Sequence, residues 1–257
     1  MSLKLAIAGK GGVGKTSLSA ALARSLGRAG ERVVAVDADP NNCLGRALGF
    51  PEPLLAELKP LSEMKGLLAQ RAGVAGGGPM YALDPPVEDL IADHLVYHEG
   101  IALLVMGTVD EPGAGCVCPE SAVLKAVLRH LARQPDLSLV ADMDAGLEHL
   151  GRGTARHLDA LFVVAEPTPA SGRTAARIAT LARGLGLRTP GVVLNKADAR
   201  EAAARIEPYL GELPVIAVLP YDRAVASAEA VPAIGPFSAA VDSLRARLAE
   251  LLSQEAG

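Results

Sequence analysis

Only three cysteines occur in 257 residues, and two of them stand one residue apart. They are too few and too close for the disulfide framework of a secreted protein. No apolar run approaches the roughly 18–20 residues that a membrane-spanning helix needs. Met1-Ser2-Leu3-Lys4 leads straight into a strand-like run without the architecture of a signal peptide. An excess of positive charge is also missing: 25 lysines and arginines face 29 aspartates and glutamates, a formal net charge of −4. That balance gives no support to a general surface for nucleic acid or anionic membrane. Tryptophan is absent, with four tyrosines and three phenylalanines, yet half of the residues are hydrophobic and 21% are charged, which argues against disorder. The length suffices to bury a substantial core. These exclusions predict a soluble, cytoplasmic α/β protein.

Short apolar β-branched runs alternate with helical patterns, the signature of a mostly parallel central sheet flanked by helices in three layers. The strand expectations are Leu3–Ala8, Arg32–Val36, Ile101–Met106, Leu137–Ala141, Ala160–Ala165, Gly191–Leu194 and Val215–Leu219. Helices are expected over Thr16–Arg28, with Leu18, Leu22 and Leu26 on one side, and over Glu120–Arg133, Ser171–Leu185, Arg200–Tyr209 and Phe237–Leu252. Between Pro51 and Tyr97 many prolines and glycines interrupt any period. One helical stretch near Leu61–Arg71, then a loop and an edge strand, is the reading there. The segment reads as an irregular insertion, about 51–97, within one domain spanning 1–257, because strands of the same style resume after it.

Gly9-Lys10-Gly11-Gly12-Val13-Gly14-Lys15-Thr16 fits G-x-x-x-x-G-K-[ST], directly after a strand and before a helix. Glycines let successive backbone amides curl around phosphate oxygens, and the helix N-terminus adds a favourable field. Lys15 is expected to reach the β- and γ-phosphates and the Thr16 hydroxyl to sit on Mg²⁺, with Ser17 completing the loop. The pattern therefore predicts a P-loop NTPase that binds a nucleotide through its phosphates. Two further strands end in acid: Asp37-Ala38-Asp39-Pro40, and Ser138-Leu139-Val140-Ala141-Asp142. Ligands of open α/β sheets bind at such strand ends. Asp142 suits the carboxylate that holds a metal-bound water, and one of the first pair suits the cap of a short helix over Asn42–Leu48.

Lys10 immediately after the first glycine makes the loop resemble that of the deviant Walker A proteins, the group of nitrogenase iron protein, MinD and ParA. The resemblance implies that Lys10 reaches across a nucleotide-sandwich homodimer to the partner's phosphates. It also implies that Asp39 orients the attacking water and that Asp37 supports the Mg²⁺ shell. The family pattern D-x-x-A-G falls on Asp142, Ala145 and Gly146, with the Gly146 amide as a γ-phosphate sensor; Asp144 replaces a common proline. Asn195-Lys196-Ala197-Asp198 fits NKxD, in which the asparagine pairs with a purine. An aspartate at the fourth position suits guanine or caps the next helix, whereas the resemblance implies ATP, so Asn195 is the base contact of choice and GTP stays open. Pro220-Tyr221-Asp222 is expected to add backbone contacts to the base.

Cys116-Val117-Cys118, loosened by glycines and followed by a helix start, suits a soft metal ion. Tetrahedral Zn²⁺ wants four ligands and this segment offers two. A two-fold homodimer joins two such pairs into one site on its axis. CVCPE after a glycine turn, Asp142 to Gly153, and Asp39-Pro40-Asn41-Asn42-Cys43-Leu44-Gly45 together resemble the CooC-type carbon monoxide dehydrogenase maturation ATPases. That resemblance implies a nucleotide-dependent homodimer that binds Zn²⁺ or Ni²⁺ between subunits. Its client would be carbon monoxide dehydrogenase, or a related acetyl-CoA synthase, into whose Ni–Fe–S site it assists nickel insertion. His149, inside a suspected switch segment, is a candidate contact to metal or client. The competing classes are an Fe–S carrier of the nitrogenase iron protein type and a partitioning ATPase. Ala249–Gly257 carries Glu250 and Glu255 but no Lys or Arg, which speaks against a MinD-like membrane helix. Nothing in the sequence supports ParA-like DNA binding.

Overall fold

A computed structural model describes residues 2–73, 82, 84–107, 119–147 and 150–253. Its sheet has eight strands: β1 (Lys4–Gly9), β2 (Val33–Ala38), β3 (Val96–His98), β4 (Ile101–Val105), β5 (Ser138–Met143), β6 (Ala160–Ala165), β7 (Gly191–Leu194) and β8 (Val215–Val218). Their spatial order is β3-β4-β2-β5-β1-β6-β7-β8. Every neighbouring pair is parallel except β3 and β4. The chain leaves β1 toward β2 on one side and later continues to β7 and β8 on the other. The strand order thus reverses around β1, where α/β sheets form their ligand crevice.

The central strands are buried on both faces, so they read as continuous apolar runs. In β1, Leu5 and Ile7 face one core and Ala6 and Ala8 the other. The first core is closed by the helices Lys15–Arg28 and Pro236–Ala246, which contribute Leu18, Leu22, Leu26, Val241 and Leu244. Their spacing of three or four residues places these side chains on one stripe of each helix. Pro119–Arg133 and Pro169–Gly184 close the second core with Val123, Val127, Leu131, Ala175 and Ile178. Both sheet edges are short, at three and four residues, and β3 runs against β4, which limits the backbone offered to another chain.

Several element boundaries differ from expectation. Phe237–Leu252 is two helices, Pro236–Ala246 and Leu248–Ser253, broken at Arg247. The short helix after β2 starts at Leu44 and not at Asn42, because Asn42 takes the left-handed conformation at φ 48. In residues 51–97 the edge strand is β3, and the Leu61–Arg71 stretch is a short 3₁₀ turn (Leu61–Glu63) followed by a helix (Lys65–Arg71). Two unexpected helices lie there as well, Glu52–Glu57 and Glu88–His94. Proline acted as an initiator and not as a breaker: Pro53 sits in the first turn of Glu52–Glu57, where its missing N–H costs nothing.

Candidate functional site

The crevice above β1 is built on the loop between Gly9 and Lys15. A Cβ on Gly9 would lie 2.5 Å from the Val164 carbonyl oxygen of β6, so only glycine lets β1 sit this close to its neighbour. Gly14 has φ 93, and a Cβ there would lie 2.2 Å from Asn195 Nδ2. Gly11 and Gly12 face open space, with nothing within 4 Å of an added Cβ, which leaves the cradle clear for phosphate oxygens. The helix Lys15–Arg28 that follows has no side-chain cap and no acidic residue in its first turn. Its leading amides are therefore available to an anion, in a field that favours one. Ser17 is half-buried in that first turn.

Lys15 is buried, and its ammonium lies 3.4 Å from Asp39 Oδ2. The other Asp39 oxygen accepts the Asn41 backbone amide at 3.0 Å and its side-chain amide at 2.8 Å. Burial opposes ionisation of Asp39, but the Asn41 hydrogen bonds and the Lys15 charge outweigh it and hold the carboxyl below its ordinary pKa. Thr16 Oγ1 donates to Asp142 Oδ2 at 2.6 Å. The Ser19 hydroxyl lies 3.1 Å from Asp142 Oδ1 and 3.0 Å from the Lys15 carbonyl. Asp142 is fully buried; burial raises its pKa to about 6, against the pull of Thr16, Lys15 and Ser19.

Asp37 pairs in register with Asp142 across β2 and β5. Its two oxygens accept the amides of Leu44 at 2.8 Å and Asp39 at 3.3 Å. The geometry therefore gives it the helix-capping work that one of the two aspartates was expected to do. Burial first, then the Asp142 charge, raises its pKa to about 7. The Gly146 and Leu147 amides both donate to Asp144 Oδ1 at 3.1 Å, so the residue that stands in place of proline engages the expected sensor amide. Lys10 is exposed at the rim of the loop.

The NKxD segment is tied to the phosphate loop. Asn195 is buried and donates from Nδ2 to the Val13 carbonyl at 2.8 Å. Lys196 donates to the Gly12 carbonyl at 2.7 Å and pairs with Glu166 at 2.6 Å. Asp198 occupies the N-cap position of Ala199–Ile206 without a side-chain capping bond and is exposed. Pro220 is half-buried, and Tyr221 is 57% exposed beside it. The Asp222 carboxylate is used as a cap, accepting Ala224 N at 2.9 Å. Sequence reasoning missed Ser19, Asn41 and Glu166. Ser19 had a signal, since it stands three residues after Thr16 and so on the same helical face; the other two depend on folding.

Cys116, Cys118 and His149 lie outside the described residues. Among the described residues no group of three or more His, Cys, Asp or Glu side chains could hold a metal ion. Cys43 is exposed, and burial of its sulfur, followed by Asp37 and Asp39, raises its thiol pKa. No described helix is long and apolar enough to cross a membrane.

Residues 4–231 match the family described as the CobQ/CobB/MinD/ParA nucleotide binding domain. The carbon monoxide dehydrogenase accessory protein CooC of Rhodospirillum rubrum is 41% identical over 88% of this chain and 87% of its own length. An uncharacterised ATP-binding protein of Methanocaldococcus jannaschii is 42% identical over 88% of each chain. The fold is also that of the septum site-determining protein MinD of Pyrococcus horikoshii, solved with Mg-ADP. The TM-score is 0.64 at 20% identity, covering 99% of this chain and 100% of that one.

Proposed function

The chain belongs to the CobQ/CobB/MinD/ParA nucleotide-binding family of P-loop ATPases, and from that premise we propose that it is a maturation factor for carbon monoxide dehydrogenase, working as a homodimer. Its task in this reading is to deliver nickel, as cargo, to the client's Ni–Fe–S site. The observation that carries the reading is the 41% identity with the CooC accessory protein, sustained over 88% of the chain. Cys116-Val117-Cys118 supports it chemically, since two soft ligands per chain become four in a two-fold dimer and can hold Zn²⁺ or Ni²⁺.

The nucleotide chemistry follows from the crevice. Thr16 and Asp142 are the residues that would hold Mg²⁺, whose charge would offset that of the phosphate oxygens. Asp142 presents a carboxylate already aligned by two hydroxyls, so little rearrangement is needed. Lys15, whose ammonium lies 3.4 Å from Asp39, stabilises charge that develops on the transferred group. Asp39, kept ionised beside it, accepts a hydrogen bond from the attacking water and orients it. The water oxygen bonds to the γ-phosphorus as the bridge to the β-phosphate breaks, giving ADP and phosphate. Lys10 from the partner subunit completes the charge in the dimer, and the Gly146 amide exchanges Asp144 for the γ-phosphate. Asn195 and the backbone of Pro220-Tyr221-Asp222 border the base, with ATP the nucleotide of choice.

The test is the Lys15→Ala variant measured beside Cys116→Ser and Cys118→Ser. Lys15→Ala is expected to abolish ATP turnover, by about 10³-fold, while the cysteine variants hydrolyse ATP but lose interfacial nickel. Retained turnover in the first, or unchanged nickel stoichiometry in the others, contradicts the assignment.

A further inference from the structure

Away from the nucleotide crevice, a stack of cations lies where two helices meet. Lys125, Arg129 and Arg133 recur every four residues along Pro119–Arg133 and so share one stripe. Arg152 and Arg156, also four apart, begin and cap the helix Arg152–Ala155. The two helices are joined by Thr154 Oγ1, which donates to the Lys125 carbonyl at 3.3 Å. Arg129 crosses the second helix so closely that a Cβ on Gly153 would lie 3.3 Å from its Nη1. His157 follows Arg156 in the chain, and burial, then the charges of Arg133, Arg156 and Arg129, lower its pKa.

Like charges four apart on a helix repel, so such a stack does not serve the fold. Asp84 pairs with Arg129, and Glu88 lies 3.3 Å from His130 Nδ1. These residues and Arg133 line a cleft of about 470 Å³ beside the seam. Arg133, Arg152 and Arg156 are exposed and have no ion-pair partner among the described residues.

We propose that the Lys125–Arg133 stripe and the Arg152–Arg156 pair form a docking surface for an acidic patch on a protein partner. The seam already seats a carboxylate, that of Asp84, on a guanidinium. Asp84 and Glu88 interrupt the positive charge at the adjoining cleft, and the net charge is −4, so the seam offers a short cationic patch that matches a local acidic patch on a protein, not the long basic track that a phosphate backbone needs. Arg152 lies six residues after Gly146 in the chain, so the seam follows closely in sequence on the segment proposed to meet the γ-phosphate. The partner's identity, nickel-free carbon monoxide dehydrogenase, rests on the function proposed above; the surface itself does not.

The test uses the whole 257-residue chain, the double variant Arg133→Glu/Arg156→Glu and the conservative Arg133→Lys/Arg156→Lys. Each is titrated against nickel-free carbon monoxide dehydrogenase, a poly-L-glutamate peptide and duplex DNA at two salt concentrations, with ATPase activity and thermal unfolding as folding controls. The charge reversal is expected to weaken binding of both the enzyme and polyglutamate by about tenfold or more at low salt. The lysine variant retains binding, and ATP turnover is unchanged in both. Unaltered binding after charge reversal overturns the proposal, as does capture of duplex DNA with polyglutamate ignored. Polyglutamate binding lost on charge reversal, in a protein that never binds the enzyme, supports the surface and counts against the client.

Discussion

Asp37 and Asp142 stand side by side on β2 and β5, both fully buried and both with raised pKa values, about 7 and about 6. A carboxyl whose folded pKa exceeds its unfolded value binds more protons in the native state, so its contribution to stability is present at low pH and is lost as pH rises through the folded pKa. The metal-free protein is therefore expected to lose this contribution between about pH 4 and pH 7. Asp37→Asn, which still offers an oxygen to the Leu44 amide, flattens that slope. Thermal unfolding in a chelator across this range is the check, and an equal slope in both proteins contradicts it. At the same scale, Asp142→Asn keeps the shape but weakens the acceptor of Thr16 and Ser19. Steady-state ATPase assays should show a fall in turnover of about 10²-fold or more, with the fold intact by circular dichroism. Asp142 was legible as acid at the end of an apolar strand; that Asp37 spends its oxygens on backbone amides was not, because Leu44 lies seven residues away and meets it only through the turn.

Among elements, the strands were legible almost to the residue, since buried parallel strands are short apolar runs with sharp polar ends; Ala160–Ala165 and Gly191–Leu194 coincide with β6 and β7. Two short helices, Leu44–Leu48 and Lys65–Arg71, were legible to within a few residues, but others of four to seven residues were not. Arg152–Ala155, Arg223–Ser227 and Glu88–His94 hold too few turns to show a period, and such helices form because tertiary packing holds them, not because of local propensity. The phosphate loop was evident from its glycines, whereas its support was hidden: Asn195 reaches Val13, and Lys196 with Glu166 reaches Gly12, from strands far along the chain. Asn195→Ala removes the Val13 bond and leaves a buried carbonyl unpaired. We expect about 1–3 kcal/mol of lost stability and weaker ADP binding, read by calorimetry. Thr168→Ala deletes a cap of the helix Pro169–Gly184, where Thr168 Oγ1 accepts the Ser171 amide at 3.2 Å without touching the phosphate loop itself. It should cost about 1 kcal/mol with ADP affinity unchanged. Equal losses of affinity in the two variants would mean that Asn195 acts on the fold alone.

For the whole molecule, the two acidic strand ends, the uncapped helix and the glycine loop converge above β1, where the strand order reverses. The metal chemistry proposed for the chain rests on Cys116 and Cys118, the pair that supplies two sulfur ligands one residue apart, whereas Cys43 stands alone among the described residues. Cys43→Ser should therefore leave metal stoichiometry at one ion per two chains in native mass spectrometry, and loss of the ion would enlarge the site. The most direct measurement of the proposed function is activation of nickel-free carbon monoxide dehydrogenase by the nickel-loaded protein, with and without ATP. Activity that appears with ATP, and fails to appear with Lys15→Ala or without the Cys116 and Cys118 thiols, is the predicted result. Equal activation by free nickel alone, or by the Lys15→Ala protein, would contradict it.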